Sequence, residues 1–154
     1  MELSGSDLQW AKNFFRNIEL FQKLSDAELS ELLAGLEKNV YPAGTTIIFQ
    51  NELSSQLYVI ESGEVSVWVK KGNQKIKIAT LSANDYFGEI SLLTPRAATA
   101  TVKAETDTEV ILLPGNVVQQ LIKKNQEFGK ILAMEIVARL NKQKNLEPPS
   151  GENR

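Results

Sequence analysis

The sequence predicts an α+β fold: a β-roll, or double-sheet jelly roll, flanked by N-terminal and C-terminal helices. Three observations carry that expectation. Apolar residues recur at helical spacing at both ends of the chain, the period changes to alternation between Glu37 and Leu113, and turn residues punctuate that middle stretch at short intervals. Several short strands joined by regular turns favour a closed or double-sheet arrangement.

At the N-terminus the spacing predicts a helix from Ser6 to Arg16, with Ser6 as its cap and Leu8, Ala11, Phe14, Phe15 and Ile18 on the inward stripe. A short apolar connection, Leu20 to Leu24, follows. Ser25 and Glu28 have the spacing of a capping box and open a second helix that carries Leu29, Leu32, Leu33 and Leu36 inward, with Gly35 weakening its end. Strands are expected at Glu37 to Tyr41, Thr45 to Gln50, Gln56 to Glu61, Glu64 to Lys70, Gln74 to Leu81, Thr99 to Glu105 and Thr108 to Leu113. Pro42-Ala43-Gly44, Ser62-Gly63, Lys71-Gly72-Asn73 and Ala83-Asn84-Asp85 supply the turns.

Pro114 is expected at the first position of a third helix, where a missing N–H is harmless, with Val117, Val118, Leu121 and Ile122 inward. A last helix should run from Gln126 to Asn145. Its apolar residues, from Phe128 through Met134, Ile136 and Val137 to Leu140, extend around more of the circumference than one contact face requires. Two partners are therefore expected: the roll and the first helix, or in addition a ligand or second subunit. Residues 1–146 are expected to form a single domain, and the polar, proline-containing residues 147–154 a disordered tail.

The chemistry concentrates between Phe87 and Thr99. Gly88 lets the backbone approach a ligand closely, and Arg96 brings a planar, permanently charged fork suited to phosphate oxygens. Glu89 is an acceptor beside an anion site, which is unfavourable unless it has a hydroxyl to bind. The pair suggests a ligand with both a sugar hydroxyl and a phosphate. Ala97 and Ala98 are small enough to leave their amides open to the same anion, as in a backbone nest.

Phe87-Gly88-Glu89, an apolar turn Ile90 to Leu93, then Arg96-Ala97-Ala98 and a β-branched strand resemble the phosphate-binding cassette of the cyclic-nucleotide-binding domain family, shared by catabolite activator proteins, protein kinase A regulatory subunits and cyclic-nucleotide-gated channels. The order of helices, β body and helices is also that family's. The resemblance implies that Glu89 binds the ribose 2′-hydroxyl and Arg96 the cyclic phosphate. It further implies that the amides of Gly88, Ile90, Ala97 and Ala98 complete the cradle, with Ser91 as a further hydrogen-bonding group. In this family a hydroxyl residue directly after the cassette arginine accompanies guanine recognition; Ala97 stands there, so cAMP is expected ahead of cGMP.

Composition narrows the function classes. The 154 residues include no cysteine and no histidine, which removes thiol nucleophiles, thiolate metal sites, and the commonest general base and metal ligand. No enzyme activity, cofactor or metal site is expected. A net charge of −2 gives no general attraction to nucleic acid, and Arg139, Lys142 and Lys144 read as a solvated helix end. No apolar run is long enough to span a bilayer and no signal peptide is visible, so a cytoplasmic protein is expected.

The expected function is a regulatory sensor that binds a cyclic nucleotide and relays its occupancy through the C-terminal helix to an effector such as a channel or kinase. A homodimer through that helix is compatible with its extra apolar face. The alternative, suggested by the short Thr94-Pro95 connection before Arg96, is a ligand-free docking or oligomerisation domain of the same fold.

Overall fold

The computed structural model describes residues 1–88, 92 and 96–146, with the side chains of 139–146 excepted. Helix α1 (Gly5–Arg16), a 3-10 turn (Glu19–Lys23) and α2 (Asp26–Ala34) precede the strands. The strands are β1 (Glu37–Tyr41), β2 (Thr46–Ile48), β3 (Leu53–Ser54), β4 (Gln56–Ser62), β5 (Glu64–Lys71), β6 (Gln74–Ser82), β7 (Tyr86–Phe87), β8 (Arg96–Ala97), β9 (Thr101–Ala104) and β10 (Thr108–Pro114). Helices α3 (Gly115–Lys124) and α4 (Gln126–Leu146) close the described chain.

Two four-stranded sheets, ordered β1-β10-β4-β7 and β2-β9-β5-β6, form the roll, and β3 pairs with β8 in a separate short ladder. Between the two sheets lies a core of Ile48, Ile60, Val65, Val102, Val110 and Leu112 with the rings of Tyr58 and Phe87. The opposite face of the first sheet, through Leu57, Val59, Ile111 and Leu113, packs on the helices in a second core with Phe15, Leu32, Leu121 and Phe128. The first sheet is thus buried on both faces. That explains why Leu57 to Ile60 and Val110 to Leu113 are continuous apolar runs, whereas β5 and β6, with one face toward water, alternate.

The expected strands are all present, with shifted ends: β2 is shortened to three residues, and β9 starts at Thr101 instead of Thr99. The cap of α1 is Ser4, not Ser6. Ser4 Oγ accepts the Asp7 N–H at 3.1 Å while Asp7 Oδ2 accepts the Ser4 N–H at 2.9 Å, a reciprocal box that uses an acidic residue where the sequence signature has Glu or Gln. Leu8, placed inward by the periodicity, is exposed. Ser25 and Glu28 do form their capping box. Pro114 ends β10 and caps α3 from outside instead of occupying its first turn. Gly63 turns β4 into β5 at φ +102°, where a Cβ would lie 2.6 Å from the carbonyl oxygen of Asp107.

Asp7 also anchors α1 to the roll. Lys38 Nζ donates to Asp7 Oδ1 at 3.1 Å and lies 3.3 Å from Glu61 and 3.6 Å from Glu109. The Ser4 N–H, foremost, and the Lys38 ammonium hold the Asp7 carboxyl well below the usual carboxylate range, against the opposing effect of burial. Burial, followed by the neighbouring Asp7 carboxyl, pushes Glu61 up. Because the folded-state pKa of Asp7 lies below its ordinary value of 3.8, its stabilising contribution is complete above that value and fades as the pH falls below it. The stability gap between the wild type and Asp7→Asn, measured by urea unfolding, should therefore narrow as the pH falls from about 5 to about 2. A gap independent of pH would show that Asp7 is not a charged anchor.

Candidate functional site

The cassette begins where β7 lies against β4. Tyr58 pairs with Phe87 in the ladder, and their rings stack at 4.8 Å with an interplanar angle of 5°. Gly88 follows at φ +91°; a Cβ there would lie 2.6 Å from the Gln56 carbonyl oxygen and 3.1 Å from the Tyr58 ring. Only glycine fits this close approach without strain. Gln56 Nε2 donates to the Tyr58 hydroxyl at 3.0 Å, and burial raises the pKa of that phenol. Glu89, Ile90 and Ser91 lie outside the described residues, as do Leu93, Thr94 and Pro95. Leu92 is buried in the helix-facing core, and its carbonyl accepts Gln119 Nε2 of α3 at 3.2 Å. The middle of the cassette is thus tied to α3.

At its far end the cassette becomes β8, which pairs Arg96 with Ser54 and Ala97 with Leu53 of β3. Directly opposed residues share a face of a ladder, so Arg96 and Ser54 stand side by side. Arg96 is exposed and, among the described residues, its side chain has neither a hydrogen bond nor an ion pair. The Ser54 hydroxyl is buried and has no well-formed hydrogen bond among the described residues, although its side chain lies close enough to the Tyr58 phenol to oppose the rise in that group's pKa. Such a hydroxyl costs free energy unless something supplies the missing bond.

Of the amides expected to face an anion, that of Ala98 is already engaged: its N–H donates to the Glu52 carbonyl at 2.8 Å, and its own carbonyl accepts the Asn51 N–H at 2.8 Å. The small side chain at 98 therefore serves packing against the inner core instead of opening an amide to a ligand. That Ser54, Gln56 and Tyr58 stand beside the cassette was not legible in the sequence. Their nearest signal is Leu53-Ser54, a two-residue strand too short to show a period. Among the described residues there is no cluster of acidic side chains able to hold a metal ion, and no helix long and apolar enough to cross a membrane.

The last helix enters the helix-facing core of the first sheet. Its buried residues Phe128, Leu132 and Ile136 join the core that holds Phe14 and Phe15 of α1 and Leu57, Val59, Ile111 and Leu113 of the first sheet, and α4 packs most extensively against α3 and the 3-10 turn. Phe128 lies 5.7 Å from Phe21, ring to ring. Met134 and Val137 are 70% and 57% exposed, so the second apolar face has no partner within the described chain.

Comparisons with known proteins bear on this arrangement. A cAMP-dependent protein kinase regulatory subunit of Colletotrichum orbiculare is 32% identical over 122 residues, which cover 79% of this chain and 31% of that protein. The chain thus spans about a third of the length of that relative. The catabolite activator protein of Thermus thermophilus superposes with a TM-score of 0.68 at 30% identity, over 81% of this chain and 59% of its own. The sensor domain of the transcriptional regulator DNR from Pseudomonas aeruginosa shares the fold at a TM-score of 0.75 and 18% identity, over 90% of this chain and 93% of its own. Residues 38–125, from β1 through α3, match the family described as the cyclic nucleotide-binding domain. The chain belongs to the cyclic nucleotide-binding domain family, and its domain is a ligand-binding regulatory module, not a catalytic fold.

Proposed function

We propose that residues 1–146 form one sensor domain that binds a cyclic nucleotide, cAMP ahead of cGMP, and passes its occupancy through α4 to an effector such as a kinase or channel. The observation that carries this reading is the Arg96–Ser54 pair. A guanidinium with no partner among the described residues and a buried hydroxyl without a well-formed hydrogen bond among them stand on one face of the β3–β8 ladder, at the far end of the segment that starts with Gly88. A phosphate seated there would accept from both.

Glu89 is assigned to the ribose 2′-hydroxyl and Arg96 to the cyclic phosphate. The amides of Gly88, Ile90 and Ala97 complete the cradle, with Ser91 as a further contributor. Ala97 after the cassette arginine supports adenine over guanine, and the cAMP-dependent name of the kinase relative points the same way. The relay is supported by the Gln119 to Leu92 hydrogen bond, which ties the cassette to α3, and by the packing of α3 on α4. A ligand shifts that arrangement only by its differential affinity for two states.

Amide hydrogen exchange with and without saturating cAMP tests the relay. Slowed exchange is expected across residues 130–141 of α4 as well as in residues 87–99. Protection confined to residues 87–99 would leave a nucleotide-binding domain whose output does not run through α4.

A further inference from the structure

The outer face of the second sheet carries a cavity of about 730 Å³ that the cassette does not use. Trp68 lies in its lining, with Thr101 directly opposite on β9. Lys70, Lys75 and Lys103 supply three cations, Phe49 adds a second, exposed aromatic ring, and no carboxylate contributes to the lining. The three lysines come from three strands, and among the described residues none of their side chains forms an ion pair. This charge is local, since the chain as a whole is slightly acidic.

The aromatic platform is held in place. Trp68 Nε1 donates to Ser66 Oγ at 2.8 Å, and the Ser66 hydroxyl in turn donates to Glu105. Gln50 braces the Phe49 wall: its N–H donates to Thr101 Oγ1 at 2.8 Å, and its Oε1 accepts the Lys70 N–H at 2.7 Å. A fixed indole with an exposed phenyl ring and ammonium groups around it suits a ligand with a flat π face and several negative charges. The cavity volume falls within the range of small-ligand pockets, roughly 300 to 1,000 Å³.

We infer that this groove is a second binding site for a nucleoside polyphosphate, with the base against Trp68 and Phe49 and the phosphates among Lys70, Lys75 and Lys103. It lies outside the cassette, which it adjoins where the Asn51 N–H of its lining donates to the Ala98 carbonyl.

The test uses the whole chain carrying Trp10→Phe, which leaves Trp68 as its sole tryptophan, and Arg96→Ala, which disables the cassette. ATP, inorganic tripolyphosphate and adenosine serve as probes. ATP should quench Trp68 fluorescence saturably, and added salt should weaken the effect. Changing Lys70 and Lys103 together to Gln should lower ATP affinity tenfold or more; both side chains are exposed, so the melting temperature should stay within a few degrees. Tripolyphosphate should compete weakly and adenosine should not compete. An absence of saturable quenching at millimolar ATP would overturn the inference, and so would unchanged affinity in a folded double lysine variant. Competition by tripolyphosphate as strong as that of ATP would remove the stacked base.

Discussion

Arg96→Ala is expected to lower cyclic-nucleotide affinity by about thirtyfold or more while leaving the protein folded. The magnitude follows from removing one partner of a desolvated charge pair, which typically costs about 2 to 5 kcal/mol. The fold should survive because Arg96 is exposed and, among the described residues, its side chain makes no hydrogen bond or ion pair that the folded chain would miss. Its backbone partner Ser54 stays in place whatever the side chain at 96. Calorimetric titration of the variant, beside a thermal melt that verifies folding, checks the expectation. Wild-type affinity in a folded variant would move the phosphate away from Arg96.

Phe128→Ala should produce the largest loss of stability, about 3 to 5 kcal/mol, because it removes a fully buried aromatic side chain and leaves a cavity that neighbours can fill only in part. Phe128 is also the residue by which α4 enters the helical core. Its N–H is capped by Asn125 Oδ1 at 3.0 Å, and Asn125 reaches across to the Lys23 carbonyl and to Glu28 Oε1. The start of α4 is therefore bound to the N-terminal helices by both packing and hydrogen bonds. Urea unfolding gives the free energy directly. A loss below about 1 kcal/mol would mean that the start of α4 is not a structural anchor, and α4 would then be free to move as a whole.

The helices and most strands were legible because their local signals agree with their tertiary surroundings. Ser25 with Glu28, and the inward positions of α3, give the same answer by sequence spacing and by burial. The misreadings have physical causes. Ser4 with Asp7 forms a capping box as sound as that of Ser25, but an acidic residue stands where Glu or Gln is the signature, so Ser6 appeared the better cap. Strands β3, β7 and β8 have two residues each, below the length at which a period of two can be read.

For the candidate site, the sequence marks only what sits contiguously in the chain: Gly88 and Arg96 stand out by their neighbours. Ser54, Gln56 and Tyr58 reach the cassette only through pairing between distant segments, which no local pattern announces. The engagement of the Ala98 amide by Glu52 was hidden for the same reason. On α4, sequence alone gave the excess of apolar residues correctly. Which of them stay uncovered, Met134 and Val137 among them, depends on where α3 and the 3-10 turn lie.

The most direct measurement is calorimetric titration of the wild-type chain with cAMP, run beside its 2′-deoxy analogue. A saturable isotherm with one cAMP per cassette is expected, together with much weaker binding of the analogue, because a site built around a hydroxyl is left with an unpaired acceptor when that hydroxyl is missing. No saturable binding of cAMP or of cGMP at millimolar concentration would contradict the sensor function, and would leave a ligand-free docking domain of the same fold.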